Sequence, residues 1–184
     1  MHQANRLFET QAQLVEGGVF LHRMQQFFAA VMARVGHTER TQTMGLLSAA
    51  EYRLFERMPL YDQRHCLDVY QSLVRMGYTD EYLLRAALIH DCGKVDDDGR
   101  PMPLLFYGLF VVLRRLLPGL YQRGARSRHR WLRYFAIHAS HDARSAVLAT
   151  AAGSPPELTQ ILRDYADHRS TDATRALHWA DSLN

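Results

Sequence analysis

The amino-acid sequence predicts a single all-α domain. Through most of the 184 residues, apolar side chains recur every three or four positions, which is the spacing of one helix face. No segment alternates polar and apolar residues for long enough to form a strand, and glycine, proline or capping residues separate the periodic segments. A chain of this length is typical of one domain and can bury an apolar core of its own.

The periodic segments define the predicted helices. They cover residues 5–35, 48–57, 60–76, 80–90, 104–117, 131–152 and 172–183, with a further helix that begins at Ser154. We interpret 1–45 as N-terminal helices packed on a domain of residues 46–184. No repeat or linker divides the chain.

Capping patterns support three of these boundaries, and one of them is a predicted capping box of Ser154 and Glu157. Ser48 and Glu51 have the spacing of a capping box, in which each side chain binds the backbone N–H of the other residue. Thr79 or Asp80 can cap the helix that reaches His90.

The composition excludes several classes of protein. Hydrophobic residues make up 47% of the chain and charged residues 22%, which excludes disordered and collagen-like sequences. Two cysteines cannot form a disulfide framework, so a reducing, cytoplasmic location is expected. The N-terminus lacks the apolar region of a signal peptide. The longest charge-free apolar stretch, residues 101–113, is shorter than the roughly 20 residues of a spanning helix.

The basic side chains are almost all arginine, and Lys94 is the only lysine. A run of arginines near Trp131 and Tyr134 could bind the phosphates of a nucleotide or a nucleic acid, but a solvated turn is the favoured interpretation. Its members are Arg123, Arg126, Arg128, Arg130 and Arg133. The apolar residues 104–113 could contact a second copy or a membrane surface, and core packing is favoured for them.

Three segments carry the residue types of a metal site. His90 and Asp91 follow an apolar helix, and Gly93 allows the backbone to turn just beyond them. His65 lies on an earlier amphipathic helix. Asp181 lies in an otherwise apolar stretch near the C-terminus, where an unpaired carboxylate would be costly to bury. Imidazole and carboxylate groups that converge in this way can bind one divalent ion.

This order of residues resembles the HD-domain superfamily of metal-dependent phosphohydrolases. The segments "DQRHCLDVYQSL", "LLRAALIHDCGK" and "LHWADSLN" are similar to the signatures of that family, and the resemblance extends from about Glu51 to the C-terminus. It implies a compact helical bundle in which His65, His90, Asp91 and Asp181 hold a metal ion.

The resemblance also implies further site residues. His141 and His168 would add ligands for a second ion, although Asp167 stands where family members carry the first of two paired histidines. Asp91 and Lys94 would be catalytic, with Lys94 also in contact with phosphate. The remaining substrate-binding residues would be Arg144 and His138. The cofactor would be one or two divalent transition-metal ions, with Mn²⁺ or Fe²⁺ favoured over Co²⁺, Ni²⁺, Zn²⁺ or Mg²⁺.

The predicted function is hydrolysis of phosphate ester or anhydride bonds, most readily of a nucleotide, by a phosphatase or pyrophosphohydrolase. A cyclic-nucleotide or dinucleotide phosphodiesterase and a di-iron oxygenase are the alternative enzymes. A regulator that binds a nucleotide without hydrolysing it is the alternative of a different class. The expected partner is a small phosphorylated molecule rather than nucleic acid, stable membrane insertion is not expected, and a homodimer is left open.

Overall fold

The computed structural model of the protein describes residues 34–127 and 129–184. This part of the chain is all-α, as the sequence predicts. Its nine α-helices are α1 (His37–Leu46), α2 (Ala49–Arg57), α3 (Leu60–Arg75), α4 (Glu81–Ile89), α5 (Leu104–Leu116), α6 (Pro118–Ala125), α7 (Arg133–Ala151), α8 (Pro156–Ala166) and α9 (Asp172–Leu183). Short 3₁₀ helices lie at Cys92–Lys94 and Arg130–Leu132.

Two of the three capping predictions are confirmed, whereas Ser154 does not cap α8, which begins at Pro156 after Pro155 without a side-chain cap. The Ser48 side chain accepts from the backbone N–H of Glu51, and the Glu51 carboxylate accepts from the backbone N–H of Ser48. Asp80, rather than Thr79, caps α4 by accepting from the backbone N–H of Leu83. After α3, Gly77 has a φ of 87°, a conformation that ends a helix at little cost only for glycine.

The core is built around α4, most of whose side chains are buried. It packs against α3, α8 and α9. One apolar cluster joins α2, α3, α4, α7 and α8, and another joins α3, α4, α8 and α9. His90, which follows α4, therefore lies inside the molecule rather than at its surface.

The region around α5 differs from the prediction in three ways. A helix, α6, occupies the segment for which the sequence predicts a proline–glycine break and a turn; Pro118 is its first residue, a favoured position for proline. A 3₁₀ turn precedes α7, which begins at Arg133 rather than Trp131. Only part of the apolar stretch forms core: Phe110 is fully buried against Tyr121, whereas several leucines of α5 are exposed.

The N-terminal prediction is tested only in part. The predicted helix over residues 5–35 lies almost entirely outside the described residues. Within them, α1 was not predicted as a separate helix, because its sequence is polar and only Thr43 is buried. Glu39 attaches it to α3 through contacts with Arg64 and Gln71. None of the described helices combines the length and apolar character needed to cross a bilayer.

Candidate metal centre

Three elements bring histidine and aspartate side chains together. His65 lies on α3, His90 and Asp91 follow α4, and Asp181 lies on α9. His90 Nδ1 is 2.9 Å from the carbonyl oxygen of Ala87, a contact that directs Nε2 into the space between the helices. Metal-binding histidines commonly use the second ring nitrogen in this way.

The donor atoms of these four residues converge. Asp181 Oδ1 is 2.9 Å from His65 Nε2 and 3.7 Å from His90 Nε2. Asp91 Oδ2 is 3.7 Å from His65 Nε2 and 3.8 Å from His90 Nε2. Ligands that bind one ion at about 2.1 Å stand roughly 3.0–3.4 Å apart, so small side-chain adjustments would bring His65, His90 and Asp181 onto a single ion. Asp91 lies near the two histidines of this group and would need a larger adjustment to join it.

His90 provides an independent sign of a ligand site. Its side chain is buried, and Nε2 has no hydrogen-bond partner among the described residues. A buried nitrogen without a partner is costly, and such atoms are rare. A metal ion between His90, His65 and Asp181 would satisfy it.

The carboxylates at this cluster keep their negative charge. Burial alone would raise the pKa of Asp91, but the charges of Lys94 and the surrounding histidines outweigh it and hold the pKa below its ordinary value. Burial likewise opposes ionisation of Asp181, but the hydrogen bond from His65 and the nearby charge of His90 outweigh it and lower its pKa. For His90, burial lowers the pKa while the Asp91 charge raises it, and the net result is a pKa well above the ordinary value. The cluster thus favours positive charge between the two acids.

Asp91 also faces a second group of ligand atoms. Its Oδ1 is 3.7 Å from His141 Nε2, which is 3.2 Å from Asp142 Oδ1. In the part of the chain that the structure describes, these three residues form one of three groupings that could hold a metal ion. The others are His65, His90 and Asp181, and Cys66, His90 and Asp91. The two oxygens of Asp91 therefore point toward two different positions.

Gly93 joins the Asp91 turn to α7. A Cβ atom at this position would lie 2.1 Å from the carbonyl oxygen of His141 and 2.7 Å from the backbone nitrogen of Ser145. The backbone N–H of Gly93 donates to Ser145 Oγ at 2.8 Å. This approach of backbone to backbone places His141 beside Asp91, and only glycine permits it.

Lys94 lies beside the cluster, as the sequence predicts. Its ammonium group contacts Asp91 and is 3.5 Å from Asp62 Oδ1. Burial would lower the pKa of Lys94, but the two carboxylates raise it above its ordinary value, so the side chain stays charged. Its predicted contact with phosphate is not tested by this arrangement.

Two predicted substrate-binding residues have structural partners. Arg144 donates to the carbonyl oxygens of Gly93 and Val95 at 3.0 and 3.1 Å and pairs with Asp97, so it holds the loop after the metal ligands.

His138 lies within the aromatic cluster of α5, α6 and α7. The hydroxyl of Tyr121 is 2.6 Å from His138 Nδ1. Burial and the neighbouring His141 lower the pKa of His138 to about 4, so the ring is neutral and can accept a hydrogen bond from the tyrosine hydroxyl at Nδ1. Like Arg144, His138 lies near the cluster, but its side chain already has a hydrogen-bond partner within the chain.

The structure does not bring His168 to either group of ligands. It is exposed after the end of α8, with a φ of 54°, and stacks on His178 with ring centroids 5.9 Å apart. The turn that ends α8 directs it away from the cluster, so its placement does not support the predicted role as a ligand.

Asp142 and Tyr165 take part in the site although the sequence analysis did not select them. Asp142 follows His141, and adjacent residues of a helix usually point in different directions. Tyr165 donates its hydroxyl to Asp181 Oδ2 at 2.8 Å. Its helical spacing marks it only as a core residue, and no sequence signal distinguishes the hydroxyl.

The two cysteines are buried. Cys66 Sγ is 3.7 Å from His90 Nδ1, and burial raises the pKa of its thiol. Burial raises the pKa of Cys92 to about 12. Both thiols therefore stay protonated unless a metal ion displaces the proton.

Comparisons of the chain with protein-family models, with curated proteins and with solved structures gave no match. The arguments for a function therefore come from the sequence pattern and from the geometry of the cluster.

Proposed function

We propose that the protein is a metal-dependent phosphohydrolase that cleaves a phosphate ester or anhydride bond, with a nucleotide as the favoured substrate. The convergence of His65, His90, Asp91 and Asp181 around the buried, unpartnered Nε2 of His90 supports this proposal. The same four residues carry the resemblance to the HD-domain superfamily, which favours hydrolysis over other metal chemistry.

The donor set suits a divalent transition metal. Imidazole nitrogens and carboxylate oxygens bind Mn²⁺, Fe²⁺, Co²⁺, Ni²⁺ and Zn²⁺, and we favour manganese or iron. His65, His90, Asp91 and Asp181 would hold one ion, and Asp91, His141 and Asp142 provide ligands for a second. When bound, the metal supplies Lewis-acid polarisation of the phosphoryl group and a more acidic water molecule.

Asp91 and Lys94 are the proposed catalytic residues. Asp91 is ionised, and its two oxygens face both groups of ligands, so it can orient a water molecule between them. Lys94 holds a positive charge in contact with Asp91. This charge would stabilise the negative charge that develops on the phosphoryl oxygens.

The test is a hydrolysis screen of the full chain with Mn²⁺ or Fe²⁺. Nucleoside mono- and triphosphates, dinucleoside polyphosphates and cyclic nucleotides are offered, and chromatography identifies the products. Asp91→Asn removes a proposed ligand, while Asp98→Asn makes the same change of charge at an exposed loop position. We expect turnover by the wild type and by Asp98→Asn, and its loss in Asp91→Asn together with metal binding.

The products also decide between the alternative functions. Release of phosphate indicates a phosphatase, release of pyrophosphate a pyrophosphohydrolase, and ring opening of a cyclic nucleotide a phosphodiesterase. Tight nucleotide binding without turnover at any metal would replace the proposal with a regulator. Turnover that requires dioxygen would replace it with an oxygenase.

A further inference from the structure

One side of α5 presents a continuous row of exposed aliphatic side chains. Their spacing of four, three and four residues puts them on one stripe of the helix, and two more continue it into the start of α6. We call this surface the α5–α6 stripe; it consists of Leu105, Leu109, Val112, Leu116, Leu117 and Leu120. Leu105 and Leu116 are 76% and 68% exposed.

The adjacent side of α5 already anchors the helix. Phe110 is fully buried and packs on Phe135, with ring centroids 4.5 Å apart. Phe106 packs on Tyr134, and Tyr121 of α6 completes the cluster. The buried aromatic side chains therefore attach α5 to the domain. The aliphatic side chains of the stripe take no part in that packing. Contiguous exposed apolar surface commonly marks an interaction site.

Positive charge predominates around the stripe, although Arg100 and Arg133 pair with Asp98 and Asp96. Residues 99–141 contain eight arginines and no aspartate or glutamate, so all 19 acidic residues lie elsewhere in the chain. Within the described part of the chain, three exposed arginines that follow the stripe make no ion pair: Arg123, Arg126 and Arg130. Arg114 also makes none, but it lies on the side of α5 opposite the stripe. The stripe is thus followed, at its α6 end, by positive charge that has no ion-pair partner among the described residues.

This combination favours one of three external occupants of the surface. A symmetric dimer would place the same arginine-rich patch opposite itself, where like charges repel. A nucleic acid would match the arginines but leave the aliphatic stripe without a function. A bilayer surface matches both, because anionic headgroups attract arginine while aliphatic side chains enter the boundary of the acyl chains.

We propose that the α5–α6 stripe docks the protein on the surface of a membrane that contains anionic phospholipids. The helix would lie in the interface rather than across the bilayer. The exposed Trp131, in the connection between α6 and α7, is of a residue type enriched at this depth. The inference does not depend on the proposed hydrolase activity.

The test measures sedimentation of the full chain with vesicles. One set contains equal parts of phosphatidylcholine and phosphatidylglycerol, and the other contains phosphatidylcholine alone. The variant Leu109→Glu/Leu116→Glu adds two negative charges to the stripe. The matched control, Val74→Glu/Met76→Glu, makes the same changes at exposed apolar residues at the end of α3.

We expect the wild type and the control to bind the anionic vesicles, with affinity that falls as salt increases and little binding to phosphatidylcholine alone. The stripe variant should bind at least about tenfold more weakly, with its helical circular dichroism unchanged. Failure of the wild type to bind anionic vesicles, or equal losses in both variants, would overturn the proposal. A wild-type dimer that the stripe variant dissociates, without vesicle binding, would assign the surface to a second copy instead.

Discussion

Two groups of buried charge are attached to α4, and they differ in how their charged side chains are arranged. In the body of the helix, Arg85 Nη2 donates to both oxygens of Glu51 at 2.8 Å. At its end, the carboxylates of Asp91 and Asp181 face histidines, with Lys94 as the nearby ammonium group.

The difference separates a structural ion pair from a candidate binding site. Each Glu51 oxygen has a donor from within the chain, including the backbone N–H of Ser48, so this carboxylate needs no further cation. In the cluster of His65, His90, Asp91 and Asp181, ligand atoms from three elements of the chain face the buried Nε2 of His90, which is without a hydrogen-bond partner. Burial, perturbed pKa values and an unpartnered buried nitrogen occur in both places, since Arg85 Nε also lacks a partner, and only the convergent donor atoms distinguish the site.

The largest expected effect is a loss of turnover when a ligand of the metal-binding cluster is replaced. Asp91→Asn should lower turnover at least about a thousandfold, because it removes a charged ligand shared by both groups. Metal content, measured by mass spectrometry after gel filtration, should fall with it. The helical circular dichroism should be retained, as in the Asp98→Asn control. Retained turnover in Asp91→Asn would contradict the proposed role.

The matched change at the structural pair should affect stability instead. Glu51→Gln leaves the Arg85 guanidinium without its buried counter-charge, and we expect a loss of about 3–5 kcal/mol in the free energy of unfolding. The control Glu81→Gln removes the exposed partner of the same arginine and should cost less than about 1 kcal/mol. Urea denaturation measures both. The amount of metal bound per folded molecule should be unchanged. A selective loss of metal in Glu51→Gln would contradict the interpretation of this pair as purely structural.

A smaller effect, on metal affinity, is expected when Tyr165 is replaced, because this residue contacts the proposed metal ligand Asp181. Tyr165→Phe removes the hydroxyl that donates to Asp181 Oδ2, and should weaken metal binding about 10–100-fold. Isothermal titration with Mn²⁺ measures the change, and Tyr78→Phe removes a hydroxyl elsewhere as a control. Equal affinities for Tyr165→Phe and the wild type would show that Tyr165 is only a core residue.

The smallest effect is a dependence of stability on pH. Burial would raise the pKa of Glu51, but its hydrogen bonds and the Arg85 charge outweigh it and lower the pKa from the ordinary value of 4.5. Because the folded pKa is the lower one, its stabilisation is complete above the unfolded pKa and is lost as pH falls through the folded pKa.

Urea denaturation of metal-free protein, from neutral pH to about pH 3, tests this sign. The difference in unfolding free energy between the wild type and Glu51→Gln should narrow as the pH falls. A difference that stays constant would show that Glu51 titrates alike in the folded and unfolded chain.

Local chemistry made much of the fold predictable. The capping box at Ser48, the cap at Asp80 and the turn at Gly77 each depend on residues close in the chain, and the helix boundaries follow from them. The helix α6 could have been predicted from Pro118 at its first position. The polar sequence of α1 has too little apolar periodicity to predict that helix, which contacts between side chains attach to α3.

Ligand residues that belong to a sequence pattern were predictable. Ligand residues that depend on how the helices pack together were not. His65, His90, Asp91, Asp181 and His141 all lie in the groupings that could hold a metal ion. Asp142, rather than His168, lies in the same ligand group as His141. The orientation of α7 and the turn after α8 determine which of these side chains comes close to His141. Such orientations depend on distant contacts that one sequence does not reveal.

The close approach of Gly93 to α7 has a consequence for finding relatives of this protein. A methyl group at position 93 would collide with the backbone of His141 and Ser145, so no side chain can replace hydrogen there without moving a whole helix. We expect functional homologues to keep this glycine as strictly as the metal ligands. A search pattern built from His90, Asp91 and Gly93 should therefore recover them with fewer false matches than the histidine–aspartate pair alone.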